Sequence, residues 1–163
     1  MPYYTAELID VDQDGYMDLI LAGHEQDGAA TIILWGNSYG KYFQNLSTTL
    51  PTIQNYKIVV DFDAEDIDGD GDRDIILSRV SDNTGLYGFY ERHYIQVLEN
   101  VGDRKYVDKT AMRISDNEGD RWRVWIHLQD LDGDGDTDIY YQGDHDKNEK
   151  WLNNGQGIFT KSN

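Results

Sequence analysis

Apolar residues recur along this chain in short bursts, not in long periodic stripes. Three of them precede a cluster of aspartates: Ala6-Glu7-Leu8-Ile9, Ile58-Val59-Val60-Asp61-Phe62 and Val124-Trp125-Ile126-His127-Leu128. Three more follow the same clusters: Leu19-Ile20-Leu21, Ile75-Ile76-Leu77 and Ile139-Tyr140-Tyr141. Runs this short, β-branched or aliphatic and bounded by Gly, Asn and Asp, predict strands. After a polar stretch of variable length, a third and a fourth strand flank an Asn/Gly turn. In the first unit these are Ile32–Trp35 and Lys41–Phe43, in the second Tyr94–Leu98 and Lys105–Val107, and in the third Lys150–Leu152 and Ile158–Thr160. No segment carries the 3.6-residue periodicity of an amphipathic helix, although Thr110–Gly119 has room for one short turn.

The unit strand, acidic loop, strand, polar loop, strand, turn, strand therefore occurs three times, over residues 3–48, 56–110 and 122–162. The acidic loops begin at Asp10, Asp66 and Asp130, spacings of 56 and 64 residues. Four antiparallel strands per repeat is the pattern of a propeller blade. A sandwich of about twelve strands would not require the same loop at the same place in each unit. The fold expected is all-β, three four-stranded antiparallel blades of a β-propeller. Closed propellers have about four to eight blades, so three blades imply a partial propeller or part of an assembled ring. Such a ring closes with further blades, a second copy or another chain.

The loops themselves read Asp10-Val11-Asp12-Gln13-Asp14-Gly15-Tyr16-Met17-Asp18, Asp66-Ile67-Asp68-Gly69-Asp70-Gly71-Asp72-Arg73-Asp74 and Asp130-Leu131-Asp132-Gly133-Asp134-Gly135-Asp136-Thr137-Asp138. All three fit D-x-D-x-D-G-x-x-D. Carboxylates at positions 1, 3 and 5 converge when the backbone curls around a point, and Gly at position 6 permits the turn. Position 7 supplies a backbone carbonyl, from Tyr16, Asp72 and Asp136, and position 9 supplies the closing aspartate. Hard oxygen ligands in this number suit Ca²⁺, not Zn²⁺ or copper, and exceed what Mg²⁺ usually accepts. The loops are not EF-hands: position 12 is Leu21, Leu77 and Tyr141, each in a strand-like run where an EF-hand places a bidentate Glu.

At these residues the chain resembles the FG-GAP/VCBS repeat family, known from integrin α-subunit propellers and many secreted bacterial and fungal proteins. The resemblance rests on the three loops with the aliphatic strands after them. It rests also on the hairpin Trp151-Leu152-Asn153-Asn154-Gly155-Gln156-Gly157-Ile158-Phe159. It implies that each Ca²⁺ loop joins the first two strands of a blade. The first two hairpins depart from the pattern, with Tyr39-Gly40 and Gly102-Asp103 where the third has two spaced glycines.

Charge sharpens this picture. The net charge is −17, from 31 acidic against 14 basic residues. Nucleic-acid phosphates and anionic membrane surfaces both require a basic footprint, so neither is an expected partner. Three Ca²⁺ ions would offset part of that charge. There is no cysteine, hence neither a disulfide framework nor a thiolate metal site. No apolar run approaches the ~20 residues of a membrane span, and Met1–Tyr4 shows neither a basic n-region nor an apolar h-region. Extracellular Ca²⁺ modules bind at roughly 10⁻⁴ to 10⁻³ M, so structural calcium implies an extracellular, cell-surface or periplasmic setting.

Catalytic chemistry is not expected. His24, His93, His127 and His145 are scattered, and no Ser/His/Asp order, phosphate loop or zinc signature occurs. His127 is read as a packed residue on an inner strand, and His24 and His145 as residues of equivalent polar loops. Trp122 and Trp125 around Arg121 and Arg123 suit a strand with alternating faces, while Arg104 and Arg113 give no readable site. The second repeat carries an aromatic insertion, Gly85–Tyr94, whose Tyr87, Phe89, Tyr90 and His93 form a candidate surface for a sugar or protein ligand. Two function classes follow. One is a non-catalytic binding or adhesion module for a protein or glycan; the other is a non-catalytic propeller portion of a secreted polysaccharide-active enzyme. A catalytic propeller is the third and weakest.

Overall fold

The computed structural model describes residues 3–143 and 148–162. His145 lies outside them. Three antiparallel sheets follow one another along the chain, each with its strands in sequence order. The first contains β1 (Tyr3–Ile9), β2 (Asp18–Gly23), β3 (Ile32–Leu34) and β4 (Ser47–Thr49). The second contains β5 (Ile58–Glu65), β6 (Asp74–Asp82), β7 (Phe89–Asn100) and β8 (Tyr106–Asp108). A single helical turn, α1 (Thr110–Arg113), and a short strand, β9 (Glu118–Gly119) paired with β7, lead to the third sheet. That sheet contains β10 (Trp125–Gln129), β11 (Asp138–Gln142), β12 (Glu149–Asn153) and β13 (Phe159–Ser162). These are the expected blades, joined in the expected order.

Period-two alternation gives each sheet two faces, and the blades stack through them. Register fixes one face of blade 1 as Ile20 and Ala22 with Ile33. It meets the blade 2 face made by Phe62–Leu77 and Ala64–Ile75–Leu98 in one core cluster that also holds Val11, Trp35 and Tyr106. The opposite face of blade 2, with Ile76, Ile95 and Val97, packs on Ile126, Ile139, Tyr141 and Trp151 of blade 3. Polar cross-blade contacts add to the apolar ones. The buried Arg79 on β6 donates to Glu25, just after β2, at 3.0 and 3.1 Å. Its remaining donors reach Gln96 Oε1 and the carbonyls of Tyr56 and Pro51, so the charge is buried fully satisfied.

The first strands of neighbouring blades lie side by side. Blade 2's β5 lies beside both β1 and β10. Its Asp61 and Asp63 carboxylates accept the backbone N–H groups of Ile126 and Leu128, each at 2.9 Å, which satisfies an otherwise open edge of β10.

Three expectations need correction. The fourth strand of the first unit is Ser47–Thr49, not Lys41–Phe43. The Asn37 side chain holds a tight turn at Tyr39 and Lys41, the chain then loops outward, and Phe43 is exposed. The strand resumes where β-branched Thr48 accepts from the Trp35 indole and donates to the carbonyl of Arg104. His127 is exposed on β10 and stacks on Tyr140; it is not a packed core residue, because its register faces away from blade 2. Arg121–Val124 precede β10 and do not belong to a strand; there Arg123 is buried beside Glu149 at 2.9 Å.

Candidate metal centre

Each acidic loop joins the first and second strands of its blade, and its ninth residue, Asp18, Asp74 or Asp138, is the first residue of the second strand. Those three carboxylates are buried, and both oxygens of each are engaged. One accepts the backbone N–H of the second loop residue: Val11 at 2.9 Å, Ile67 at 3.3 Å and Leu131 at 2.9 Å. The other accepts a backbone N–H at the end of the third strand: Gly36 at 2.7 Å, Asn100 at 2.8 Å and Asn153 at 2.7 Å. The closing aspartate thus ties the loop to the third strand. Asn153 extends the tie, its amide donating to the carbonyls of Ile67 on blade 2 and Thr137. At Gly36 a Cβ would lie 2.4 Å from the carbonyl oxygen of Met17, so the backbone approach needs glycine.

The carboxylates at positions 1, 3 and 5 are arranged by the loop's own amides. In loop 2, Asp66 accepts from Gly69 and Gly71 and Asp70 accepts from Asp72; in loop 3, Asp130 accepts from Gly133 and Gly135 and Asp134 accepts from Asp136. Loop 1 carries Gln13 at the position of the first glycine, and there Asp10 accepts from Gly15 alone.

In each loop three carboxylates bring one oxygen apiece within 4.8 Å of the others: Asp10, Asp12 and Asp18; Asp66, Asp68 and Asp70; and Asp130, Asp132 and Asp138. Asp14, Asp74 and Asp134 complete the expected sets from the loop but lie outside these closest triplets. A divalent oxygen-seeking cation fits this geometry on an independent observation. Asp10 Oδ1 and Asp68 Oδ1 are buried, and neither has a hydrogen-bond donor. A buried carboxylate oxygen without a donor is costly, and a cation removes that cost.

Burial leaves its mark on the acids. Desolvation pushes the Asp74 carboxyl up to about 7, reinforced by Asp68 and Asp70 and opposed by the Asn100 and Ile67 amides. Burial likewise raises Asp18, as well as Asp61 on β5 and Glu7 on β1. A carboxyl raised in the folded state contributes stability that is complete below its unfolded value, about 3.9, and that is lost as pH rises through the folded value. The protein held in a chelator should therefore become less stable between about pH 4 and pH 7. Urea midpoints measured across that range, rising instead of falling, would contradict this.

The candidate ligand surface divides. His93 is only 1% exposed; its Nδ1 pairs with the Arg121 carbonyl and its ring meets Tyr141 edge-on, so it is not a surface residue. The β6–β7 hairpin extends past its neighbours, as an insertion should, and part of it packs inward. Tyr90 is half-buried against Trp122, and Tyr87 lies beside Tyr56 under the Arg92 guanidinium. Phe89, 53% exposed, remains open.

Two residues that the sequence left unread prove to belong to the loops. Arg104, on the β7–β8 turn of blade 2, reaches Asp12 Oδ2 at 2.6 Å and Asp14 Oδ2 at 3.3 Å on blade 1. Arg113, on α1, reaches Asp68 Oδ2 at 2.7 Å. Their partners lie 92, 90 and 45 residues away, and no local pattern announces such pairs.

Acidic loops at the head of each blade, repeated along a stack of four-stranded sheets, define a repeat protein of the propeller type. The FG-GAP-like repeat model matches the chain twice, at residues 10–77 and 66–141, and the chain belongs to that family. No curated protein matches it.

Proposed function

We propose that this chain is a non-catalytic propeller module that carries Ca²⁺ structurally at its three loops and presents its blades to a protein or glycan ligand outside the cytosol. The observation that carries the metal is the convergence of three carboxylates in each loop, with buried donor-free oxygens in two of them. Each loop ties two strands of its blade together, and loops 1 and 2 also touch the next blade, through Gln13 on the Gly71 carbonyl and Asn153 on the Ile67 carbonyl, so a cation there braces the stack. Calorimetric titration of the chelator-stripped protein should give calcium binding at three sites. Absence of binding at millimolar calcium would overturn the metal assignment.

The binding role draws its support from the exposed rings of Phe89 and Trp122, where flat apolar rings beside polar groups suit a sugar or a protein side chain. Ring closure is part of this proposal, and the two end faces differ in a way that restricts it. Blade 1 presents Ala6–Leu21–Ile32 and Leu8–Leu19–Leu34 in register. These rows match the blade 2 rows that pack on blade 1, and Leu8 is 57% exposed. Blade 3 presents Trp125–Gln142 and His127–Tyr140–Lys150, a largely polar face. Head-to-tail closure by a second copy would set the Lys150 and His127 face against leucines, so a further blade with an apolar face is the better complement. Light scattering should show no closed ring of two copies; a stable two-copy assembly that is lost on Lys150→Glu would overturn this.

A further inference from the structure

The three metal loops are built alike in their backbones and unlike in their counter-charges. Loops 2 and 3 carry five aspartates each, and the same amides hold positions 1, 5 and 9 in both. In loop 2, however, Arg113 occupies Asp68 Oδ2 and leaves Asp68 Oδ1, which is buried and without a donor, facing no partner of its own. The arginine is itself fixed from two sides, by the Glu99 carboxylate of blade 2 and by the carbonyl of Gln156 on the β12–β13 turn of blade 3. In loop 1, Arg104 holds Asp12 Oδ2 and bridges to Asp14 Oδ2. It too is fixed, its guanidinium lying 4.6 Å over the Trp35 ring of blade 1. The turn that delivers it places two successive non-glycine residues, Asp103 and Arg104, at φ of 53° and 59°. Among the described residues no ion pair reaches any aspartate of loop 3.

We infer that Arg104 and Arg113 are positioning residues for the calcium loops of blades 1 and 2. Each clamps one oxygen of the third-position aspartate from outside, aims the carboxylate inward, and supplies a permanent positive charge where the cation supplies a removable one. This rests on the calcium assignment above. It follows that the loops respond unequally to calcium. Loops 1 and 2 keep their shape when the ion leaves, because a guanidinium still offsets the clustered carboxylates. Loop 3 has no such guanidinium among the described residues, so its five carboxylates repel one another when calcium falls. Calcium withdrawal therefore loosens the outer part of loop 3, Asp130–Asp136, before the loops of the first two blades, while the buried Asp138 keeps its ties to Leu131 and Asn153. Because Arg104 spans blades 1 and 2, and Arg113 spans blade 2 and the Gln156 turn of blade 3, the same clamps link loop shape to blade stacking.

The test is hydrogen exchange on the intact chain, followed by mass spectrometry on peptides covering the three loops as free Ca²⁺ is lowered with EGTA. In the unsubstituted protein the 130–138 peptide should lose protection by about tenfold or more at a calcium level where the 10–18 and 66–74 peptides change little. Arg113→Gln should make the 66–74 peptide as calcium-sensitive as 130–138 while 10–18 is unchanged, and Arg113→Lys, which keeps the charge, should restore part of the difference. Parallel loss in all three loops of the unsubstituted protein would overturn the inference, as would Arg113→Gln leaving loop 2 as it was. The first comparison needs no variant and stands even if Arg113→Gln folds poorly. A chain that binds no calcium in calorimetry would instead overturn the metal assignment and the inference together, which separates the two failures.

Discussion

Replacing Asp138 by alanine is expected to destabilise the protein by about 3–5 kcal/mol, even in a chelator. The buried carboxylate accepts the Leu131 and Asn153 amides at 2.9 and 2.7 Å. Truncation leaves the buried Asn153 N–H and the half-buried Leu131 N–H without an acceptor, each costing about 1–3 kcal/mol, and adds a small cavity. Asp134 is the control. It is exposed, and its side chain accepts locally from the Asp136 amide. Asp134→Ala should cost less than about 1 kcal/mol in chelator, yet weaken calcium binding to the same loop. Urea unfolding of both variants, with and without calcium, separates scaffold from ligand. Equal losses for the two in chelator would show that the closing aspartate has no structural role beyond the ion.

Calcium removal is the second large effect. If the proposed sites bind calcium with the 10⁻⁴ to 10⁻³ M affinity general for extracellular modules, each would contribute roughly 0.4–1.4 kcal/mol at millimolar calcium. Three sites together give up to ~4 kcal/mol, a sizeable share of the 5–15 typical of a domain. For a chain of this size that corresponds to a fall in melting temperature of roughly 5–15 °C. Magnesium at the same concentration should restore little of it, because the loops offer more protein oxygens than its octahedral shell accepts. A melting temperature indifferent to EGTA would remove the argument for structural calcium.

The acidic loops were legible because their ligands are local. Nine residues contain the carboxylates, the glycine that lets the chain curl and the closing aspartate, so spacing alone points to a cation. The strands around them were legible for the same reason, since alternation over four to eight residues reports a half-buried sheet. The fourth strand of the first blade was misplaced because its pairing is not local. Lys41-Tyr42-Phe43 looks like a strand, but Leu34 takes Ser47 as its register partner, and the Asn37 turn spends the intervening residues on a loop. His93 and His127 were misread in opposite directions. His93 lies within the aromatic insertion in sequence, yet its side chain faces the blade 3 residues Tyr141 and Glu149. His127 is on the first strand of its blade, which the sequence suggests is an inner one, yet its face has no blade beyond it among the described residues.

By itself the sequence determined the all-β class, the threefold repeat and the position of each acidic loop, because short-range periodicity and spacing encode them. The tertiary structure decided the rest. It gave Asp18, Asp74 and Asp138 their second role as ties to the third strand. It brought Arg104 and Arg113 onto two loops and left the third without an arginine among the described residues. It made one end of the stack apolar and the other polar. Each of these depends on groups far apart in the chain that meet only when the blades stack, and chain spacing carries no record of which face a neighbouring blade will cover.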